Sequence, residues 1–162
     1  TGAIGKRAIV AKAHETSYSI SNPVADVSSV SVDFNASTDG TSNVTYGMRS
    51  GVMLTAGSSI AFGALATGLT SVDNTASSAS GGFANLHVTV NTLTGPTTQI
   101  KVQHSVDNSV WVDLITFTAL VASTTTSQQS AVTGTVNRYL RAIGTTGPTG
   151  GAVTYHLSFA RF

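Results

Sequence analysis

Four histidines, His14, His87, His104 and His156, are the first residues to weigh as metal ligands or proton carriers. No two stand at i,i+2 or i,i+4, and none has a cysteine or glutamate at a metal-ligand spacing. The pattern predicts histidines satisfied on strands, with no metal and no cofactor. Asp107 and Asp113 are six residues apart. A paired-carboxylate hydrolase needs both acids on one cleft with their pKa values driven apart. Asp107 heads Asp107-Asn108-Ser109, a sequence that bonds its own backbone, and it reads as a turn residue. Serines are abundant, yet no Gly-x-Ser-x-Gly elbow occurs, nor a glycine-rich phosphate loop with a lysine. Arg138 and Arg141, three apart around Tyr139, fall on opposite faces of a strand, which suits inter-strand or subunit contacts better than a phosphate clamp. These residues point away from an enzyme.

Two other chemistries have candidates. Trp111, Tyr139 and Tyr155 supply the rings for a sugar-stacking platform, provided that at least two are exposed and coplanar. Asn35-Ala36-Ser37 and Asn43-Val44-Thr45 match the glycosylation acceptor pattern, so Asn35 and Asn43 are acceptors if the chain is exported through a glycosylating pathway.

Composition says what must position these groups. Ser and Thr make up roughly a quarter of the chain, and with 16 glycines they leave little that favours helix. Charged residues are 9% and the net charge is +1, so no electrostatic footprint for nucleic acid or an acidic membrane is present. There is no cysteine, hence no disulfide framework, and no apolar run approaches the roughly 18 residues of a bilayer span. The first residue is Thr1, with no methionine and no signal-peptide pattern, which suggests processing or a start inside a longer product.

The chain is organised around residues 100–117. Ile100, Val102 and His104 alternate with Lys101, Gln103 and Ser105; after the turn, Trp111, Asp113, Ile115 and Phe117 share a parity. This predicts a hairpin, with Trp111 as the best candidate for a core centre. Alternation also marks strands at 24–34, 44–54 (with Gly47 and Gly51 as bend or bulge), 83–93 through Leu86, Val88 and Val90, 131–136, 138–143 and 152–162. Short β-prone runs cover 8–10 and 18–20, and turns are expected at Asp39-Gly40, Gly95-Pro96, 122–130 and 144–151. Residues 60–69 suit a short helix weakened by Gly63 and Gly68. The expectation is an all-β chain: a β-rich segment over 1–69, a low-complexity linker over 70–82, and an antiparallel sandwich or jelly-roll module over 83–162.

Residues 102–114, Thr133-Gly134-Thr135-Val136-Asn137-Arg138-Tyr139-Leu140-Arg141 and Leu157-Ser158-Phe159-Ala160-Arg161 resemble a module common in bacteriophage virion proteins, where it often follows a tail-tube domain. Gly5-Lys6-Arg7-Ala8-Ile9, Ser17-Tyr18-Ser19, Pro23-Val24-Ala25-Asp26 and Val32-Asp33-Phe34 are similar to the later strands of that tube domain. The resemblance implies a tail-tube subunit that self-assembles into a ring, tube or filament, located in a virion or extracellular assembly. Its partners would be copies of itself, which complete its sheet edges, and other virion proteins. A capsid decoration protein or filament subunit is the alternative within this class, and a carbohydrate-binding module at a cell surface is the alternative outside it.

Overall fold

Alternating apolar and polar residues make strands only when a second layer covers the apolar face, and here two layers cover each other. The computed structural model describes residues 3–10, 13–21, 29–36, 49–94, 98–145 and 149–162, with side chains described at 3–6, 51–94, 98–145 and 149–162. In order the elements are β1 (Arg7–Val10), β2 (Ala13–Ser21), β3 (Ser29–Ala36), β4 (Arg49–Ala61), the helix α1 (Phe62–Thr67), β5 (Val72–Asp73), β6 (Gly82–Asn91), β7 (Ile100–Ser105), β8 (Val112–Thr116), β9 (Thr126–Val132), β10 (Tyr139–Gly144) and β11 (Ala152–Arg161). The chain is all-β, as its composition predicts.

Two contact units form, one from Thr1–Val10 with Ser50–Phe162 and the other from Ala11–Arg49. The smaller unit holds the antiparallel ribbon β2–β3, in which Tyr18 opposes Val32 and Ile20 opposes Val30. The larger unit is a sandwich of a five-stranded sheet, β1-β4-β11-β6-β9, and a four-stranded sheet, β5-β10-β7-β8. The pairs β4–β11, β11–β6 and β6–β9 in one layer, and β5–β10, β10–β7 and β7–β8 in the other, are antiparallel. The division expected at residues 70–82 does not hold. That stretch contains β5, which pairs with β10, and Ser78, which bridges Val136. Leu54, Leu65 and Val72 lie in the same buried cluster as Leu86 and Leu157, so residues 50–82 belong to the sandwich.

The interior is built from inward rows: Ala84, Leu86 and Val88 on β6, Val153, Tyr155, Leu157 and Phe159 on β11, Ile100 and Val102 on β7, and Leu140 and Ala142 on β10. Full burial of one such aliphatic or aromatic side chain contributes about 1.5–3 kcal/mol. Trp111 is not the centre. It is half-buried and outside the cluster, whereas Tyr155 is completely buried. The cause is a bulge. Val102 opposes Ile115, but Gln103 opposes Asp113, so Leu114 is the extra residue and the parity of β8 inverts there. Asp113 and Trp111 are carried to the outer face.

The same device displaces Val90. Tyr155 opposes Val88 while Thr154 opposes Val90, so Thr89 is skipped and Val90 turns outward, half exposed. Asn91 then turns inward, where its side-chain amide donates to the carbonyls of Val121 and Thr124 at 2.9 and 3.2 Å. In β4 the bulges fall at Leu54 and at Gly57-Ser58, not at Gly51. Gly57 has φ of 76°, and a Cβ there would lie 2.2 Å from His156 Cε1, so only glycine fits beneath that ring.

The short helix forms despite the two glycines expected to weaken it. Gly63 lies inside it with open space around, and Gly68 ends it at φ 81° with Leu65 as the one buried residue. Residues 126–132, expected largely as loop, are strand β9, and 133–138 carry no strand. Thr-Ser-Gln-Gln-Ser-Ala-Val offers one bulky apolar residue, so its alternation was invisible in hydrophobicity. The turns at Asp39-Gly40, Gly95-Pro96 and Pro148, and the expected strand at 44–48, lie outside the described residues.

The relocated core is testable. Leu157→Ala should cost about 3 kcal/mol in chemical denaturation, while Trp111→Ala should cost about 1–2 kcal/mol because it loses partial burial and a cation–π contact only. Equal losses would restore Trp111 to the centre.

Candidate interaction surface

The outer face of the four-stranded sheet gathers most of the described charge. Arg141 on β10 opposes Gln103 on β7, which opposes Asp113 on β8. Arg141 Nε and Nη2 donate to Gln103 Oε1 at 2.9 and 2.8 Å, and Gln103 Nε2 donates to Asp113 Oδ1 at 2.8 Å. Lys101 Nζ completes the row with a 2.6 Å ion pair to Asp113 Oδ2. Hydrogen bonds from Lys101 and then Gln103 hold the Asp113 carboxyl below its ordinary range. The Arg141 guanidinium lies 4.2 Å from the centre of the Trp111 ring, and it passes so close to Gly68 that a Cβ there would approach it to 2.9 Å. Trp111 is therefore a lid over an arginine.

At one end of this face, Arg138 Nε and Nη2 grip both oxygens of Asp73 at 2.7 and 2.6 Å. That grip, with the Thr75 N–H, lowers the Asp73 pKa to about 2. Arg138 also stands 5.0 Å from the Tyr139 ring centre. Arg141 thus makes an inter-strand contact from β10 to β7, while Arg138 stands just ahead of β10 and holds β5, so the two do not lie on opposite faces of one strand. Beside them the hairpin turns at Asp107, whose Oδ1 accepts from Ser105 Oγ, Ser109 N–H and Val110 N–H at 2.9, 2.9 and 3.0 Å, and whose Oδ2 accepts from Ser109 Oγ at 2.6 Å. These bonds, the Ser109 hydroxyl first, hold the carboxyl well below the usual carboxylate range. Asn108 takes the left-handed conformation at φ 63°. Asp107 is a turn residue, as its neighbours predicted. The turn displays Val106 and Val110, 72% and 70% exposed, and Val106 edges an open cleft of about 320 Å³ shared with Thr75, Ser77, Asn137 and Arg138.

His104 and Arg161 secure the segment behind this cleft. Arg161 Nη1 donates to Ser78 Oγ and Val136 O at 3.0 and 2.7 Å, and Nη2 donates to Asn137 O at 2.7 Å. The Asn137 N–H donates to His104 Nδ1 at 3.2 Å. Burial, and then the charge of Arg161, lower the His104 pKa below its ordinary 6.5.

The remaining candidates disperse. Tyr155 is fully buried, its hydroxyl without a partner and its pKa raised by burial, so it presents no face to a sugar. Trp111 and Tyr139 are half-buried, each with a guanidinium against its ring. The three rings do not form a platform. Asn35 lies on β3 opposite His14, its side chain outside the description, and Asn43 lies outside the described residues altogether. All four histidines are on strands. Sequence spacing concealed one juxtaposition: His87 and His156 are directly opposed across β6 and β11. Their rings lean apart, His87 Nδ1 lying 2.6 Å from Ser127 Oγ on β9 and His156 lying over Gly57 on β4. Among the described residues no group of three or more His, Cys, Asp or Glu is placed to hold a metal. No described helix is long and apolar enough to cross a membrane.

Two measurements follow from this geometry. Asp107→Ala should speed amide exchange at Ser109 and Val110 at least about tenfold, since both lose their acceptor; unchanged protection there would show that the turn holds itself. The folded chain disfavours protonated His104, so its contribution to stability is complete above pH 6.5, the unfolded value, and falls as pH drops below it. Denaturant midpoints should therefore decline between pH 7.5 and 5.5 more steeply in the native chain than in His104→Gln, and parallel curves would remove His104 as the cause.

No protein-family model, curated protein or solved structure matches this chain.

Proposed function

We propose that the chain is a structural subunit of a bacteriophage or phage-like particle, in the first instance a tail-tube protein, and that it works by assembling with copies of itself and not by catalysis. The observation that carries this reading is the strand order. β4-β11-β6-β9 faces β5-β10-β7-β8, and six of the seven connections among these eight strands pass from one layer to the other, β7–β8 being the exception. We read that as the connection pattern of a jelly roll, an architecture used by viral capsid domains, and it supports the virion resemblance while drawing β4 and β5 in beside the strands of 83–162.

Fold alone does not assign function, so the surface must support the reading as well. Asp73, Lys101, Asp107, Asp113, Arg138, Arg141 and Arg161 are each engaged within the chain. Subunit contact over such a surface strips few unpaired charges of water, which keeps the desolvation cost of repeated contacts low. A carbohydrate-binding module remains the alternative from another class, weakened by the burial of Tyr155.

Electron microscopy of the purified chain at micromolar concentration should reveal rings, tubes or filaments, and the protein should pass a glycan matrix unretained. A folded species that stays monomeric throughout would overturn the proposal.

A further inference from the structure

Resting on the self-assembly reading, though not on its tail-tube form, we propose that β9 is the strand through which one copy meets another, pairing antiparallel with β9 of a second copy across a two-fold axis.

The four outer strands of the sandwich are not equivalent. β5 has two residues and β1 has four, including Arg7. β8 is interrupted by its bulge and carries Asp113. These are the features by which proteins blunt an edge. β9 has none of them. It runs for seven residues, Thr126–Val132, without charge or proline, and pairs with β6 over its whole length with no slip in register. Among the described residues no strand lies on its other side. Its neighbour at the sandwich margin is tied off by a side chain: Gln128 Oε1 accepts from the Thr118 N–H at 2.8 Å and Gln128 Nε2 donates to Thr118 O at 3.1 Å. The backbone at Thr118 is thereby satisfied, and the outer backbone edge of β9 is left for a partner strand.

The chemistry of that edge selects a second copy as the occupant. A strand that pairs with itself across a two-fold places its central residue against its own image, so any charge near the axis meets the same charge. A charge-free strand is the composition this requires. With Gln129 on the axis, Gln128 opposes Ser130, Ser127 opposes Ala131 and Thr126 opposes Val132, so all seven residues pair. This register matches inward residues with inward and outward with outward, because the burial of β9 alternates over its whole length. The two interiors then lie on the same side of one ten-stranded sheet. Such a contact is closed, so larger assemblies grow from the pair through other surfaces.

Sedimentation velocity on the full chain across a concentration series should show a monomer–dimer step. Gln129→Lys, which sets two ammonium groups face to face, should weaken it at least tenfold, while Thr116→Glu on β8 should leave it unchanged. Amide exchange over residues 126–132 should slow as concentration rises, with β8 unaffected. Association that survives Gln129→Lys, or exchange in β9 that ignores concentration, would overturn the β9 contact and leave self-assembly standing. A native chain that never associates would overturn both.

Discussion

Two β-layers share a dry interior only while alternate residues of every strand point into it, and the larger unit of this protein rests on that condition. The inward rows of β6 and β11 form the middle of one wall and those of β7 and β10 the middle of the other. Ile100, Val102, Leu140, Val153, Tyr155 and Leu157 are completely buried between them. Bulges at Thr89 and Leu114 mark where the condition lapses, and each re-aims the residues beyond it. Val90 goes out and Asn91 comes in to hold the loop at 121–124; Asp113 and Trp111 go out to meet Lys101, Gln103 and Arg141.

The outer faces follow from what the interior rejects. With charged residues only 9% of the chain, most of those described in the sandwich gather on and around the four-stranded sheet, where Lys101 with Asp113 and Arg138 with Asp73 neutralise each other through short hydrogen bonds. Exposed ion pairs of this kind add little stability. Their consequence lies in contact with other surfaces, since a paired charge is less strongly bound to water than a free one and is the cheaper to cover. The same frugality leaves β9 with nothing to repel an approaching strand.

The self-assembly proposed for this molecule would draw on its edges more than on its pockets. The cleft beside Val106 is open, and its one charged lining residue, Arg138, is held by Asp73. A sheet margin offers a row of backbone donors and acceptors, a stronger and more directional invitation than a shallow cleft. An assembly built on β-edges also needs little side-chain chemistry, which suits a chain so rich in Ser, Thr and Gly.

Much was legible in the residues themselves. Composition determined the all-β class, alternation placed strands near 100–105, 139–144 and 152–161, Asp107-Asn108-Ser109 announced its turn, and the four histidines lie on strands as their spacing suggested. These are local properties, set by side-chain period and by short-range bonds to the backbone. Tertiary structure alone decided which way each parity faced, because a bulge depends on the partner strand and leaves no mark in hydrophobicity. For that reason Trp111 read as core and lies on a face, whereas Tyr155, which alternates with Val153, Leu157 and Phe159 without interruption, lies in the core and not in a sugar platform. Long-range pairing likewise set His87 opposite His156 and drew residues 70–82 into the sandwich, contacts that residues distant in sequence acquire only when a shared interior brings their strands together.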